Sequence, residues 1–83
     1  MHEEELLRLP IRREVEFQYK GETRVGSVAI LNVSKHEELV KCVISIQLDI
    51  CRETSVYGVD TIQALQAGIA TIKAHMERVG IGT

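Results

Sequence analysis

Aromatic residues, proline and cysteine are scarce in this chain of 83 residues. It contains no Trp, one Phe, two Tyr, one Pro and two Cys. The three aromatic side chains, Phe17, Tyr19 and Tyr57, leave little from which to build the base-stacking platform of single-stranded nucleic-acid binders. Two cysteines in a chain without secretory features are expected to remain free thiols rather than to form a disulfide.

The chain also lacks a basic surplus. Its formal net charge is −2 and its pI is about 5.9, whereas binding to phosphates usually needs a basic face. No apolar run approaches the length of a membrane span, and His2-Glu3-Glu4-Glu5 is acidic where a secretory signal would be basic. We therefore expect a cytoplasmic protein with neither a nucleic-acid nor a membrane partner.

Residues suited to metal binding or catalysis are not clustered along the sequence. His2, His36 and His75 are far apart, and none lies within two to four residues of a cysteine, so the spacing of a zinc site is absent. The glycines lack the lysine and hydroxyl context of a phosphate-binding loop. The sequence predicts no metal site, no cofactor and no catalytic residue.

The hydrophobic content of 45% indicates a folded chain. Its length fits one domain over residues 1–83 with a modest core, in which a sheet face and a helix cover each other. The sequence of residues 1–10 allows either a short helical turn or a flexible tail.

The clearest structural signal is a helix that follows Asp60. Asp60 stands where an N-cap belongs, and Gln63 completes the spacing of a capping box. Gly80 is suited to the C′ position that ends a helix. The apolar residues that recur at steps of three and four, and that we predict to form one buried stripe, are Ile62, Leu65, Ile69, Ile72, Met76 and Val79.

The opposite side of this helix has an unusual composition. No charged residue occurs from Thr61 to Ile72, although surface helices normally carry charges on their outer face. Two explanations are possible: the alanines on this back face are there because alanine favours helix formation, or the back face is buried against another surface. Gly68 costs about 1 kcal/mol relative to alanine within a helix, which a close helix–sheet contact beside Ile72 would compensate.

Upstream the apolar pattern changes to the period of two that is typical of strands. Val15, Phe17 and Tyr19 alternate with polar residues, a turn at Lys20-Gly21-Glu22 follows, and residues 23–33 return as a second strand. The run from Val28 to Leu31 is apolar on both faces. It indicates a bulge near Gly26 or a partly covered outer face.

A third strand is predicted by the alternation of Cys42, Ile44, Ile46, Leu48 and Ile50. Residues 52–57 then form a fourth strand, or the chain continues as one long bent strand from Leu39 to Val56. The predicted fold class is therefore α+β: an antiparallel sheet of three or four strands followed by one C-terminal helix packed on a sheet face.

The segment Tyr57-Gly58-Val59-Asp60-Thr61-Ile62-Gln63-Ala64-Leu65-Gln66 resembles the hallmark of a family of small uncharacterised bacterial domains. In that family a tryptophan-x-cysteine strand precedes a Gly-Val-Asp-x-x-Gln-Ala-Leu helix start. Val40-Lys41-Cys42 is similar to the first element, with Val40 in place of tryptophan, and Ala67-Gly68 departs from the leucine and alanine that usually follow. The resemblance covers residues 39–72. It implies the order of strands then helix and a bacterial origin, and it implies no activity, cofactor or site.

Because no chemistry stands out, the leading functional hypothesis is a non-catalytic binding or self-associating module, in one form an accessory or immunity-type partner of a bacterial protein. A homodimer is the simplest form, since two-fold pairing is the commonest assembly of soluble chains. An unknown protein partner is the other possibility. The candidate interface residues are Val28, Ile30, Ala67, Ala70 and Ala74.

The alternative hypothesis is a small-ligand-binding or enzymatic domain that uses Cys42, Cys51, His75 or Tyr57 in a cleft. Cys42 is predicted to be a buried and inert thiol because it lies on the apolar face of its strand. A closed pocket that holds several of these polar groups would favour the alternative, whereas an exposed apolar patch would favour the binding module.

Overall fold

The computed structural model describes the backbone of residues 3–81 and the side chains of residues 10–81. The elements in chain order are β1 (Glu3–Tyr19), β2 (Glu22–His36), β3 (Leu39–Gln47), β4 (Cys51–Gly58) and α1 (Thr61–Arg78). The four strands form one antiparallel sheet whose spatial order is the chain order. The predicted α+β fold, with a single C-terminal helix on the sheet, is confirmed.

The first hairpin is longer than the sequence pattern indicated. β1 pairs with β2 from Glu3 opposite His36 to Tyr19 opposite Glu22. Residues 3–10, considered as a helical turn or a tail, are therefore strand, while residues 1–2 lie outside the described part of the chain. Lys20 and Gly21 make the hairpin turn with φ angles of 53° and 80°, the left-handed conformation that a tight hairpin requires.

A bulge at Leu31 explains why β2 is apolar on both faces. Ile30 pairs with Ile44 and the next partners are Asn32 and Val43, so Leu31 is an extra residue opposite β3. The extra residue reverses the alternation. Val33 therefore joins Val28 and Ile30 on the face that the helix covers. The bulge exists, but at Leu31 rather than near Gly26.

β3 and β4 are separate strands rather than one bent strand. Gln47 pairs with Cys51, and residues 48–50 form the loop between them. The Leu48 N–H donates to the Ile50 carbonyl at 3.0 Å and so tightens this loop without glycine or proline. Leu48 packs partly against the core, whereas Ile50 is exposed.

Both ends of α1 are capped as the sequence predicted. The Gln63 N–H donates to Asp60 Oδ1 at 2.8 Å, and the Val59 N–H donates to Gln63 Oε1 at 2.8 Å. The return bond thus reaches the residue before the cap rather than the cap itself. At the C-terminus Gly80 has φ of 86°, and the Ile81 N–H donates to the Met76 carbonyl at 2.9 Å, which is a Schellman closure.

The buried face of α1 differs from the predicted stripe. Ile62 and Ile69 are 70% and 46% exposed, so the stripe is wrong for these two residues. The buried residues of α1 are Ala64, Gly68, Ile72, His75 and Met76. The helix is rotated toward its small residues because they let the backbone approach the sheet. A Cβ placed on Gly68 would lie 2.9 Å from Cys42 Sγ, which confirms the close helix–sheet contact.

The helix lies off the centre of the sheet. It packs mainly on β4 and β3, reaches β2, and leaves most of β1 uncovered. The core between helix and sheet centres on side chains that are almost completely buried: Val33, Cys42, Ile44, Ile46, Ala64 and Met76. Since α1 is displaced toward β4, the two sides of the helix border different surfaces.

Candidate functional site

One side of α1 borders an apolar groove above the uncovered part of β1. This α1–β1 groove is lined by Arg13, Val28, Ile69, Ile72, Lys73 and Met76. Its walls are apolar and its two charged residues are both cations. Ile62 precedes Ile69 by two helical turns and therefore continues the same side of α1.

β1 adds an exposed isoleucine on the same sheet face as Arg13, which lines the groove. Ile11 pairs with Ile30 in the sheet, so the two side chains lie on the same face. Ile30 is buried beneath the helix, whereas Ile11 is 60% exposed. The exposed isoleucines of α1 and β1 thus border one continuous surface, and its exposure follows from the off-centre position of the helix.

The other side of α1 borders a pocket at the β4 edge of the sheet. This α1–β4 pocket is lined by Ile46, Arg52, Ala70, Thr71, Ala74, His75 and Arg78. Ala70 and Ala74 face it with single methyl groups, so the space arises because the helix carries short side chains there. The pocket is polar at one end and apolar along the helix.

A chain of three polar side chains supports this pocket. His75 is 5% exposed, its Nε2 lies 2.7 Å from Asp49 Oδ1, and its Nδ1 lies 3.0 Å from an Arg78 guanidinium nitrogen. A guanidinium can only donate hydrogen bonds. Nδ1 is therefore the acceptor, and Nε2 carries the hydrogen that is donated to Asp49.

This arrangement perturbs the loop carboxylate. The hydrogen bond from His75 is the main cause that lowers the pKa of Asp49 below its ordinary value, against a smaller opposing effect of desolvation. A carboxyl group with a lowered pKa in the folded state stabilises that state above its unfolded pKa. This stabilisation is lost as the pH falls through the folded pKa.

We therefore expect Asp49→Asn to reduce the dependence of the free energy of unfolding on pH in the acid range. The variant should be less stable than the wild type at neutral pH, and the difference should narrow as the pH falls below about 3.9, the pKa of an unperturbed aspartate, and through the lower folded-state pKa of Asp49. Urea denaturation from pH 7 to pH 2 measures the difference. A constant difference over this range would show that Asp49 titrates identically in the folded and unfolded states.

The predicted interface residues fall in three environments. Val28 and Ile30 are 5% and 9% exposed and belong to the core, because they pair with Ile46 and Ile44 on the covered face. Ala67 is partly buried, whereas Ala70 and Ala74 are exposed and line the α1–β4 pocket. Of the five, only the alanines of the helix remain accessible in the single chain.

The four residues of the alternative hypothesis are not brought together. Cys42 is completely buried below Gly68, and burial raises the pKa of its thiol, as suits an inert cysteine. Cys51 and Tyr57 are exposed and pair with Gln47 and Lys41. This pairing places them on the sheet face opposite Cys42, whereas His75 lies on the helix side.

The sheet face without a helix has a polar and small character. Its central strands carry Ala29, Ser34 and Ser45, all of which are buried between the longer side chains of neighbouring strands. Ala29 pairs with both Arg12 and Ser45 across the sheet. The buried groups at the centre of this face are therefore small, and its exposed larger side chains include Val25 and Tyr57.

Sequence reasoning missed both clefts beside the helix. His75 and Arg78 are three residues apart and thus neighbours on a helix, but Asp49 comes from a loop whose position only the fold defines. The period of 3.6 places Ile69 on the apolar side of α1 but does not show how far the sheet extends beneath that side. The exposure of Ile69 could therefore not be predicted from the sequence.

The residues from Gly58 to Ala64 stabilise the fold and contribute no reactive group. Asp60 and Gln63 cap the helix, and Ala64 is completely buried beside Gly58. A motif of this kind marks the junction between strand and helix. Its polar side chains enter neither cleft, and Ile62 is its one contribution to the apolar side of α1.

Comparison with known proteins gives no family for this chain. No protein-family model, no curated protein and no solved structure matches it. Within residues 3–81 no helix has the length and hydropathy needed to cross a membrane. Among the described side chains, those of residues 10–81, no three from His, Cys, Asp or Glu lie close enough together to hold a metal ion.

Proposed function

We propose that this protein is a non-catalytic binding module that pairs with a second copy of itself through the α1–β1 groove. The observation that supports this most strongly is that Ile62 and Ile69, two of the six residues in the apolar stripe of α1, are 70% and 46% exposed. The neighbouring strand β1 adds exposed Ile11 to the same side. Contiguous exposed apolar surface rimmed by polar groups is typical of interaction sites.

The polar rim supports a protein interface rather than an accidental exposure. Arg13 and Lys73 stand at the groove, so apolar residues form the centre and cations the margin, as in protein–protein interfaces. Neither residue has an ion-pair partner among the described side chains. The open edge of β1 extends the same surface with unpaired backbone groups, which offer hydrogen bonds to another strand.

A second copy fits the dimensions of this surface. The molecule measures 47 × 16 × 16 Å, and the groove runs along its helix. A full long side of the molecule covers the ~800 Å² per partner that a stable complex buries, so the interface would include the open edge of β1 as well as the groove. A two-fold axis would place groove against groove, so the exposed isoleucines of one copy would pack on those of the other.

The groove could instead bind a different bacterial protein. In that case the chain would act in the cytoplasm as an accessory or immunity-type partner and would be a monomer by itself. The same surface would then be used, but the wild type would not self-associate. Oligomeric state therefore separates the two versions.

Replacing Ile69 by lysine tests the proposal. Ile69→Lys would add a third cation beside Arg13 and Lys73 and would bury charge in the interface. We expect the wild type to dimerise in sedimentation and light-scattering dilution series, and Ile69→Lys to raise the dissociation constant at least tenfold, about 1.4 kcal/mol. Because Ile69 is partly exposed, the variant should retain the circular dichroism and cooperative unfolding of the wild type.

The matched control is Val25→Lys. Val25 is 64% exposed and lies near the tip of the β1–β2 hairpin, away from the groove, so its replacement should leave the dissociation constant unchanged. A wild type that is monomeric at millimolar concentration would rule out self-association. Equal weakening by both variants would show that the groove is not the interface.

A further inference from the structure

We propose that the α1–β4 pocket binds the carboxylate of a small organic acid that carries a short aliphatic tail. The pocket lies on the opposite side of α1 from the α1–β1 groove, and its binding of a ligand does not depend on self-association. It combines one positioned guanidinium, one guanidinium without an ion-pair partner among the described side chains, and a floor of small apolar groups.

Arg78 is the positioned guanidinium. It donates to His75 Nδ1 at 3.0 Å, and His75 is in turn oriented by Asp49 at 2.7 Å. Because the imidazole is buried and bonded on both nitrogens, it holds one guanidinium nitrogen in place at the pocket wall. The other donors of Arg78 remain available, so a ligand need not order this side chain on binding.

Arg52 lies at the facing wall. It belongs to β4 and pairs with Ile46, which places it on the same sheet face as the helix. It forms no ion pair with any of the described side chains. Asp49 is already engaged by His75, and the lining of the pocket contains two guanidinium groups and no carboxylate. The local excess of positive charge favours an anion.

The geometry favours a carboxylate over a phosphate. Phosphates are commonly held by the free backbone N–H groups at helix N-termini, whereas this pocket lies along the C-terminal half of α1. The helix dipole is negative at that end and opposes a dianion more than a monoanion. Guanidinium groups bind carboxylates and phosphates alike through paired, charge-assisted hydrogen bonds, so the charge at the helix end decides between them. A monocarboxylate therefore suits the charge better.

The rest of the pocket selects an apolar tail. Ala70 and Ala74 contribute methyl groups on the helix, and Ile46 forms the apolar base beneath them. A larger side chain at either alanine position would fill this space. A ligand of a few methylene groups would cover these surfaces while its carboxylate lies between Arg52 and Arg78.

The test is a titration of isotope-labelled protein with sodium hexanoate at constant ionic strength, followed by two-dimensional NMR. Sodium acetate and inorganic phosphate serve as comparison probes. We expect saturable shifts at the amides of Ala70 and Ala74 and at the arginine Nε signals, with a hexanoate dissociation constant on the order of millimolar. Acetate should bind more weakly than hexanoate because it lacks the aliphatic tail. Phosphate should also bind more weakly than hexanoate, because the negative C-terminal end of the helix dipole opposes a dianion.

Variants separate this pocket from other cationic surfaces. Arg52→Gln and Arg78→Gln should each weaken hexanoate binding at least tenfold, as expected for the loss of a charged hydrogen bond. Arg12→Gln removes an exposed arginine from the opposite sheet face and should leave binding unchanged. Ala70→Glu would place a carboxylate of the chain itself in the pocket and should abolish the hexanoate shifts.

Three results would overturn the assignment: no saturable shift with hexanoate, wild-type affinity in both arginine variants, or tighter binding of phosphate than of hexanoate. Since Arg52 is exposed on an edge strand, Arg52→Gln is expected to fold even if the loss of Arg78 disturbs His75. The outcome does not depend on the dimer test, because a monomer retains every residue that lines this pocket.

Discussion

Gly58→Ala should destabilise the protein by about 3 kcal/mol, at the upper end of what one extra methyl group costs in a packed interior. Gly58 is the last residue of β4 and is buried against the first turn of α1. A Cβ at this position would lie 2.5 Å from the Ala64 nitrogen and 2.8 Å from the Gln63 carbonyl carbon. Because both neighbours are backbone atoms of a capped helix, relief requires movement of the whole helix start.

The matched substitution is Gly21→Ala at the hairpin turn. No atom lies within 4 Å of a Cβ on Gly21, but its φ of 80° is left-handed, so we expect a loss of only about 1 kcal/mol. Chemical denaturation of the two variants measures the difference. Equal losses would show that the close approach at Gly58 is easily relieved and that β4 and α1 are not rigidly joined.

The order of strands and helix could be predicted because each element has a strong local signal. The cap at Asp60 and the closure at Gly80 involve residues close together in sequence, and their hydrogen bonds agree with the spacing. The alternation through Cys42, Ile44 and Ile46 likewise predicts the central strand, whose three apolar residues are all buried. At these positions the interactions between residues close together in sequence were sufficient to predict the structure.

The features that sequence could not supply are relations between elements. The bulge at Leu31 depends on the pairing of β2 with both of its neighbours. The extension of β1 to Glu3 depends on β2 as a partner rather than on its own alternation. The rotation of α1 toward Ala64 and Gly68 depends on the sheet surface below it, so the periodicity of the helix alone predicted the wrong side for Ile62 and Ile69.

The candidate sites follow from these same relations. The groove exists because α1 covers β4 and leaves β1 open, and the pocket exists because short side chains face the opposite side. Asp49, His75 and Arg78 meet only after the β3–β4 loop is placed beside the last turns of the helix. The uncharged back of the helix was visible in the sequence, but its relation to Arg52 was not.

Gly68→Leu is the second substitution for which we expect a loss of about 3 kcal/mol. Leucine is a better helix former than glycine by up to about 1 kcal/mol, so propensity alone predicts stabilisation. Packing opposes it, because a Cβ at residue 68 would lie 2.9 Å from Cys42 Sγ and 3.2 Å from Ile44 Cγ2. Both neighbours are completely buried. Gln66→Leu, on the exposed side of the same helix, should leave stability nearly unchanged.

A double-mutant cycle between Gly68→Ala and Cys42→Ala identifies the cause. In the wild type the new methyl group should displace the Cys42 thiol, so its packing cost should cancel most of the propensity gain of about 1 kcal/mol. With Cys42→Ala the sulfur that causes the closest contact is absent. Gly68→Ala should then stabilise the protein, and the coupling between the two sites should be at least about 0.5 kcal/mol. Additive effects in urea denaturation would contradict direct contact between the helix backbone and Cys42, and Gly68 would then have no role in bringing α1 close to β3.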